Sequence, residues 1–238
     1  MPIDSVSLLV CILISFIAAS VHGVIGFGFN FIGAPLLILF YPQLVPAPII
    51  INSVVLVCLV GWDNRKNIAY SSLGWAVGAC SLGAIAAGFA IAQASQRTYD
   101  ALFGSMLLLA VLVSLVGWTP KITAKNSIVA GGISGFIGTI TSIGGPPIAL
   151  LYQRMPGSTL RGTMSAYFLL TSPFVLLALY GAGRLGLAEI KLSLILLPGV
   201  VFGFACSKYL ARFLNQQATR TIVLTVSTLG GIILLGRL

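Results

Sequence analysis

Two stretches of the 238-residue chain combine residues that interrupt a helix with residues that can hold a ligand. The first runs Gly23-Val-Ile-Gly26-Phe-Gly28-Phe-Asn30-Phe-Ile-Gly33-Ala-Pro35, the second Gly135-Phe-Ile-Gly138-Thr139-Ile-Thr141-Ser142-Ile-Gly144-Gly145-Pro146-Pro147. Neither can continue as a regular helix, because proline lacks an amide hydrogen and constrains the residue before it. Proline does fit the first turn of a new helix, so each stretch predicts a break followed by a short helix beginning near Pro35 or Pro147. The start of such a helix presents free N–H groups and a positive dipole end, which suit an anion. The candidate substrate-binding residues are Gly26, Gly28, Asn30, Gly33 and Pro35 in the first stretch, with Thr139, Thr141, Ser142, Gly144, Gly145, Pro146 and Pro147 in the second. Two plainer uses compete. GxxG spacing lets membrane helices touch, and a Ser or Thr hydroxyl can bond back to its own helix.

Gate candidates flank these stretches. Histidine as a residue type titrates near neutral pH, and His22 lies beside the first break, as a proton-sensitive gate or as a neutral packing residue. Arg161 opens the apolar stretch 162–183, with Ser165 following it. It either snorkels to the interface or attracts anions on the cytoplasmic side. Asn52 and Ser53 occupy the corresponding part of the first half without a charge. Other chemistries lack their residues. Asp4, Asp63, Asp100 and Glu189 fall in termini or loops, Asp100 at the boundary where its span begins, and a lone histidine makes neither a metal site nor a catalytic pair. Cys11, Cys58, Cys80 and Cys206 sit in apolar segments without CxxC spacing and read as small core residues. There is no GxSxG, nucleotide loop or ligand cluster, so no enzyme, metal or cofactor is expected.

The elements that must position these groups follow from composition. The chain is 58% hydrophobic and 7% charged, with 13 Lys/Arg against 4 Asp/Glu, whereas a soluble domain carries about 25% charged residues. A soluble globule, a disordered chain and a disulfide-stapled secreted domain are excluded. The net charge of +9 is scattered between apolar runs, as topology determinants are, so no nucleic-acid partner is expected. Six stretches match the ~20 apolar residues that span a bilayer: 44–61, 69–92, 100–117, 163–183, 190–210 and 219–236. The separators are too short to divide domains. Residues 5–22 lack the basic n-region of a signal peptide and are expected to stay in the mature protein.

An offset of 112 lays one broken stretch on the other: Gly23 on Gly135, Gly26 on Gly138, Asn30 on Ser142, Gly33 on Gly145, Pro35 on Pro147 and Ser53 on Ser165. This predicts a single transmembrane domain built by duplication, with repeat 1 at about 5–117 and repeat 2 at about 127–236. If each broken region is a hairpin entering and leaving on one side, the basic residues divide nine against four. Arg65, Lys66, Lys121, Lys125, Arg154, Arg161, Lys208, Arg212 and Arg220 share one face; Arg97, Arg184, Lys191 and Arg237 share the other. Making 127–152 a single span gives seven and six, so the positive-inside rule prefers hairpins and an outside N-terminus. The expected fold is all-α: a polytopic membrane bundle of two inverted repeats, each a broken hairpin plus three spans. Whether the first hairpin crosses fully is left open by the charge count.

The paired glycine–proline segments, the eight-segment hydrophobic layout and the stretch GTITSIGGPPIALLY resemble the TauE/SafE sulfite-exporter family of membrane permeases. The resemblance covers essentially the whole chain. It implies an inner-membrane transporter with two related halves that handles sulfite, sulfoacetate or other small sulfur-containing or organic anions. The partners are then the bilayer and a small anionic substrate, and a homodimer is compatible with the sequence. Without an intramembrane acid, export is expected to follow the membrane potential, about 2.3 kcal/mol or fiftyfold per 100 mV for one charge. The alternatives are an importer of thiosulfate-like or small carboxylate anions and, in another class, a membrane scaffold or assembly subunit.

Overall fold

The computed structural model describes residues 5–115, 119–210 and 216–237. Ten helices follow in order: α1 Ser5–Ile25, α2 Phe29–Phe40, α3 Ala47–Asn64, α4 Leu73–Ala92, α5 Gln96–Leu115, α6 Ala124–Thr141, α7 Gly145–Tyr152, α8 Gly157–Gly181, α9 Leu187–Leu210 and α10 Gln216–Leu235. No strand occurs among the described residues. Among the described residues, six helices are long and apolar enough to cross a membrane: α1, α3, α4, α5, α8 and α9. Five of the six expected spans fall on α3, α4, α5, α8 and α9. The sixth, 219–236, falls on α10, whose described apolar part is shorter, and α1 of the first broken region is itself long enough to cross. Several helices also start before their apolar cores. Asp100, Arg161, Glu189 and Lys191, read from sequence as separators or entrances, lie in the first two turns of α5, α8 and α9. Backbone hydrogen bonding continues a helix past the point where hydropathy fades. Asp4 and Arg212 lie outside the described residues, as do the side chains of Lys208 and Arg220.

Both broken regions are hairpins. With 21 residues, α1 is about 31 Å long, enough to cross the hydrocarbon layer. It runs parallel to α9, with Gly199 against Ile12, Gly203 against Phe16 and Gly23 against Ser207. The 12-residue α2 returns about 18 Å and hands over through a short 3-10 turn, Pro42–Leu44, to α3. In the second hairpin, α6 runs parallel to α4, with Gly131 on the Ala76 carbonyl and Gly135 on the Cys80 carbonyl. The eight-residue α7 turns back, and Arg154 beyond it bonds Thr119 before α6, so both ends of this hairpin lie together. Where glycine meets a neighbouring carbonyl, the close approach leaves no room for a Cβ. GxxG spacing is therefore used for packing at Gly135, on the Cys80 carbonyl, and likewise at Gly23, where the Ser207 side chain fills the space of a Cβ.

Contacts between the halves come in exchanged pairs. α1 packs on α9 as α6 packs on α4, and α3 meets α9 as α8 meets α4. α2 meets α10 as α7 meets α5, while α3–α8 and α5–α10 pair directly.

One expectation is corrected. The short helix after the first break begins at Phe29, not near Pro35, which lies inside it. Gly26 (φ 91°) and Gly28 (φ 114°) turn the chain one helical turn earlier than the aligned Ser142 (φ 68°) does in the second half. Pro35 then leaves the Phe31 carbonyl without its helical donor. Ser227 of α10 replaces it, donating from Oγ to Phe31 O at 2.7 Å. The apolar α10 neighbour Gly230 lets Pro35 approach closely.

Candidate functional site at the paired helix breaks

The two breaks are held differently. At the first, the Gly26 amide donates to His22 O at 2.6 Å, ending α1. The Phe29 amide, at the start of α2, points to His22 Nδ1 at 3.4 Å. Because Nδ1 accepts, the ring proton resides on Nε2. The stem of Arg161 covers Gly26 and occupies the space a Cβ would need. At the second break, Thr141 Oγ1 donates to Ile137 O at 2.8 Å and accepts from the Ile143 amide at 3.0 Å, bridging helix and loop. Ser134 Oγ donates to Gly144 O at 2.5 Å, and Tyr167 OH donates to Ser134 Oγ at 2.9 Å.

The breaks touch. Asn30 Nδ2 donates to Ser142 O at 2.7 Å, joining two residues that the sequence offset makes equivalent. Between them lies a cavity of about 70 Å³. At about 10–15 Å³ per water this holds some five water-sized groups. His22 and Asn30 line it from the first hairpin, Ser134, Ser142 and Gly144 from the second, and Ser53, Tyr167, Thr171 and Ser172 from α3 and α8. Phe27, Phe31 and Phe168 supply apolar wall. No Lys, Arg, Asp or Glu lines it.

Of the candidate substrate-binding residues, Gly28, Asn30, Ser142, Gly144 and Gly145 meet at this cavity, with His22 and Ser53 from the gate set. The others have different surroundings. Gly33 packs on Ile49 and Pro35 on Gly230, while Thr139 bonds back to Gly135 O at 2.7 Å. Pro147 is buried, and Thr141 serves the break. Pro146 lines a second cavity of about 420 Å³ beside α7 and α10. Asn52 ties α3 to α9, donating to Pro48 O at 3.0 Å and Ser193 O at 2.8 Å. Ser165 faces Gly61.

The half-helices are unequal as anion binders. Pro146 and Pro147 carry no N–H, so the first turn of α7 offers the Gly145 amide but loses two donors. In the first turn of α2, the Asn30 and Phe31 amides have no intrahelical acceptor, and both residues line the cavity. Phe27, Gly28 and Phe31 also border the 420 Å³ cavity, forming the wall between it and the central one. On the other side, Ser142 Oγ donates to Pro46 O at 3.3 Å, and Pro46 borders a third cavity of about 590 Å³. That third cavity gathers the end of α2, the starts of α3, α5 and α9, and the end of α10. Arg184 lies in its lining, 4.5 Å over the Tyr99 ring.

Sequence reasoning missed Tyr167, Thr171, Ser172 and Ser134. Ser134 had a signal: it falls 112 residues after His22, and each reaches across its own break. Thr171 and Ser172 form a hydroxyl pair within the otherwise apolar run 168–179. Among the described residues, no group of three or more potential metal ligands assembles.

A family model described as "Sulfite exporter TauE/SafE" matches residues 11–234. No curated protein matches the chain, and no solved structure does.

Proposed function

Because the chain belongs to the TauE/SafE sulfite exporter family, a family of multi-pass membrane transporters, we propose that it moves small oxyanions through the cavity between its two helix breaks. The observation that carries this reading is the cavity's lining: the first turn of α2, a histidine and hydroxyl residues from both halves, buried among apolar helices. Irregular backbone is tolerated at such depth only where protein buries it or a polar cavity needs it. Paired broken helices at a repeat interface are where transporters build their sites. The exchanged contacts between the halves support an inverted duplication.

The two larger cavities are the approaches. The 420 Å³ one meets the central site at Phe27, Gly28 and Phe31, and the 590 Å³ one is separated from it by the Ser142–Pro46 contact. Loading proceeds from the face rich in Lys and Arg, the cytoplasmic one, with Arg161 beside Gly26 at the first break. Release is on the opposite face of an inner membrane, with the N-terminus outside. Neutral walls leave the membrane potential as the drive for an expelled anion. A scaffold that used its glycines for packing alone would have no need of polar groups converging on a central cavity.

The test is anion efflux from proteoliposomes under an imposed potential. Efflux should respond to the potential, and the gradient reached at equilibrium should be about fiftyfold per 100 mV for one charge. Flux indifferent to voltage and dependent on a proton gradient overturns the proposed drive. Absence of oxyanion flux from folded protein overturns the permease assignment.

A further inference from the structure

Hydrogen-bond roles around the central cavity are divided. Ser53 Oγ donates to Ile50 O at 2.8 Å, Thr171 Oγ1 to Tyr167 O at 2.9 Å and Ser172 Oγ to Phe168 O at 2.5 Å. Ser134 and Ser142 likewise donate to backbone carbonyls, and Tyr167 donates to Ser134. A hydroxyl has one proton and two lone pairs. With every proton committed, these six groups retain acceptor oxygens.

The uncommitted donors lie on the other wall. They are the Asn30 and Phe31 amides at the start of α2 and the Nε2–H of His22, joined by the Gly145 amide at the start of α7, and Asn30 Oδ1 is a single unpartnered acceptor among them. His22 is only 4% exposed, and its Nε2 has no partner in the protein. A buried N–H without an acceptor costs about 1–3 kcal/mol, so a ligand that accepts from it recovers that cost. The titratable groups facing the cavity are His22 from α1, Cys80 from α4 and Tyr167 from α8, while Arg161 reaches Gly26 at the break. α2, α3, α6 and α7 contribute no titratable side chain to the lining.

A fully ionised dianion fits this arrangement poorly. Burying charge is costly, no cation lines the site, and half the wall presents lone pairs. A monoanion without a proton fills the donors but leaves the hydroxyl oxygens idle. We propose that the cavity selects a singly charged oxyanion that still carries an acidic proton. Its ionised oxygens accept from α2 and His22, and its O–H donates to the hydroxyl wall formed chiefly by α8. This rests on the oxyanion-permease reading and sharpens it: of the forms of sulfite, hydrogensulfite is the one carried. Each ion then takes one negative charge and one proton together, with no acidic side chain needed in the path.

The test uses the full chain in proteoliposomes at fixed potential, with sulfite, methanesulfonate and sulfate, at pH values on either side of the second ionisation of sulfite. Methanesulfonate matches hydrogensulfite in charge and approximate size but has no O–H. Its charge is constant over that range, so its profile reports the protein's own titration and is divided out. Sulfite flux should track the hydrogensulfite concentration and exceed methanesulfonate flux by about tenfold, the worth of one hydrogen bond. Sulfate should be slower than both. In Thr171→Val/Ser172→Ala the sulfite-to-methanesulfonate ratio should fall towards unity; if that variant does not fold, the wild-type ratios decide. Sulfite flux that follows the dianion or total sulfite, or methanesulfonate moving as fast, overturns this selectivity while leaving oxyanion permeation standing. No flux of any of the three, from folded protein, removes the permease reading itself.

Discussion

The two helix breaks start from matched sequence and end as different devices. The first is made by two left-handed glycines, Gly26 and Gly28, and releases a 12-residue helix whose opening residues line the cavity. The second is made by Ser142, with Pro146 and Pro147 removing amides from the helix that follows. One break therefore supplies donors, and the other supplies closure and acceptor oxygens. A four-residue difference in where the helix restarts is enough to separate them, because only the first turn of a helix has free N–H groups.

The largest effect should come from filling the space between the breaks. A Cβ on Gly145 would lie 3.7 Å from Phe168 and 4.0 Å from Phe31, which is ordinary contact. Gly145→Ala should therefore fold and transport, whereas Gly145→Leu should cut flux by about 100-fold or more, the loss expected when about 3 kcal/mol of binding disappears. Equal flux in the two variants, assayed in liposomes, would remove the cavity from the path.

Next comes the pair at equivalent positions. His22→Ala removes the donor proposed to meet the anion and should lower flux about tenfold to thirtyfold, by about 1.4–2 kcal/mol. Ser134→Ala removes the group that holds both Tyr167 and the Gly144 carbonyl. Its effect should be on thermal stability, a loss of about 1–3 kcal/mol for the groups left unpaired. If both substitutions act on flux alone, the division of labour between the breaks is wrong.

The backbone itself gives a contrast of sign. Gly28→Ala forces a Cβ into left-handed conformation and should destabilise by about 1–2 kcal/mol. Ser142→Gly relieves that strain but gives up a 3.3 Å bond to Pro46, so melting should change by less than about 1 kcal/mol. Of comparable size on stability alone is Ser227→Ala, which leaves the Phe31 carbonyl bare beneath Pro35. It should cost about 1 kcal/mol in detergent melting with flux preserved.

Much of this molecule was legible in its sequence. Long apolar runs announced the spans, and glycine with proline announced the two breaks, since neither requirement depends on neighbours. The alignment of Asn30 with Ser142 even named a pair that proves to be hydrogen-bonded. The inward faces of the helices were not legible. In a soluble helix the apolar stripe marks the core, but lipid accepts leucine as readily as the core does. In α8, Leu169 and Leu170 are exposed while Thr171 and Ser172 are buried. Nothing in the order of residues says which of them looks at the cavity.

The starting point of α2 was equally hidden. Sequence placed it at Pro35, because proline favours a first turn. Packing moved it to Phe29, because Ser227 from α10 satisfies the carbonyl that an internal proline strips. Chain composition alone thus decided that this protein crosses a bilayer and that its helices are interrupted twice, because hydrocarbon tolerates neither charge nor bare backbone. Which interruption donates and which accepts was decided by tertiary contacts, because hydrogen-bond partners come from helices far apart in sequence.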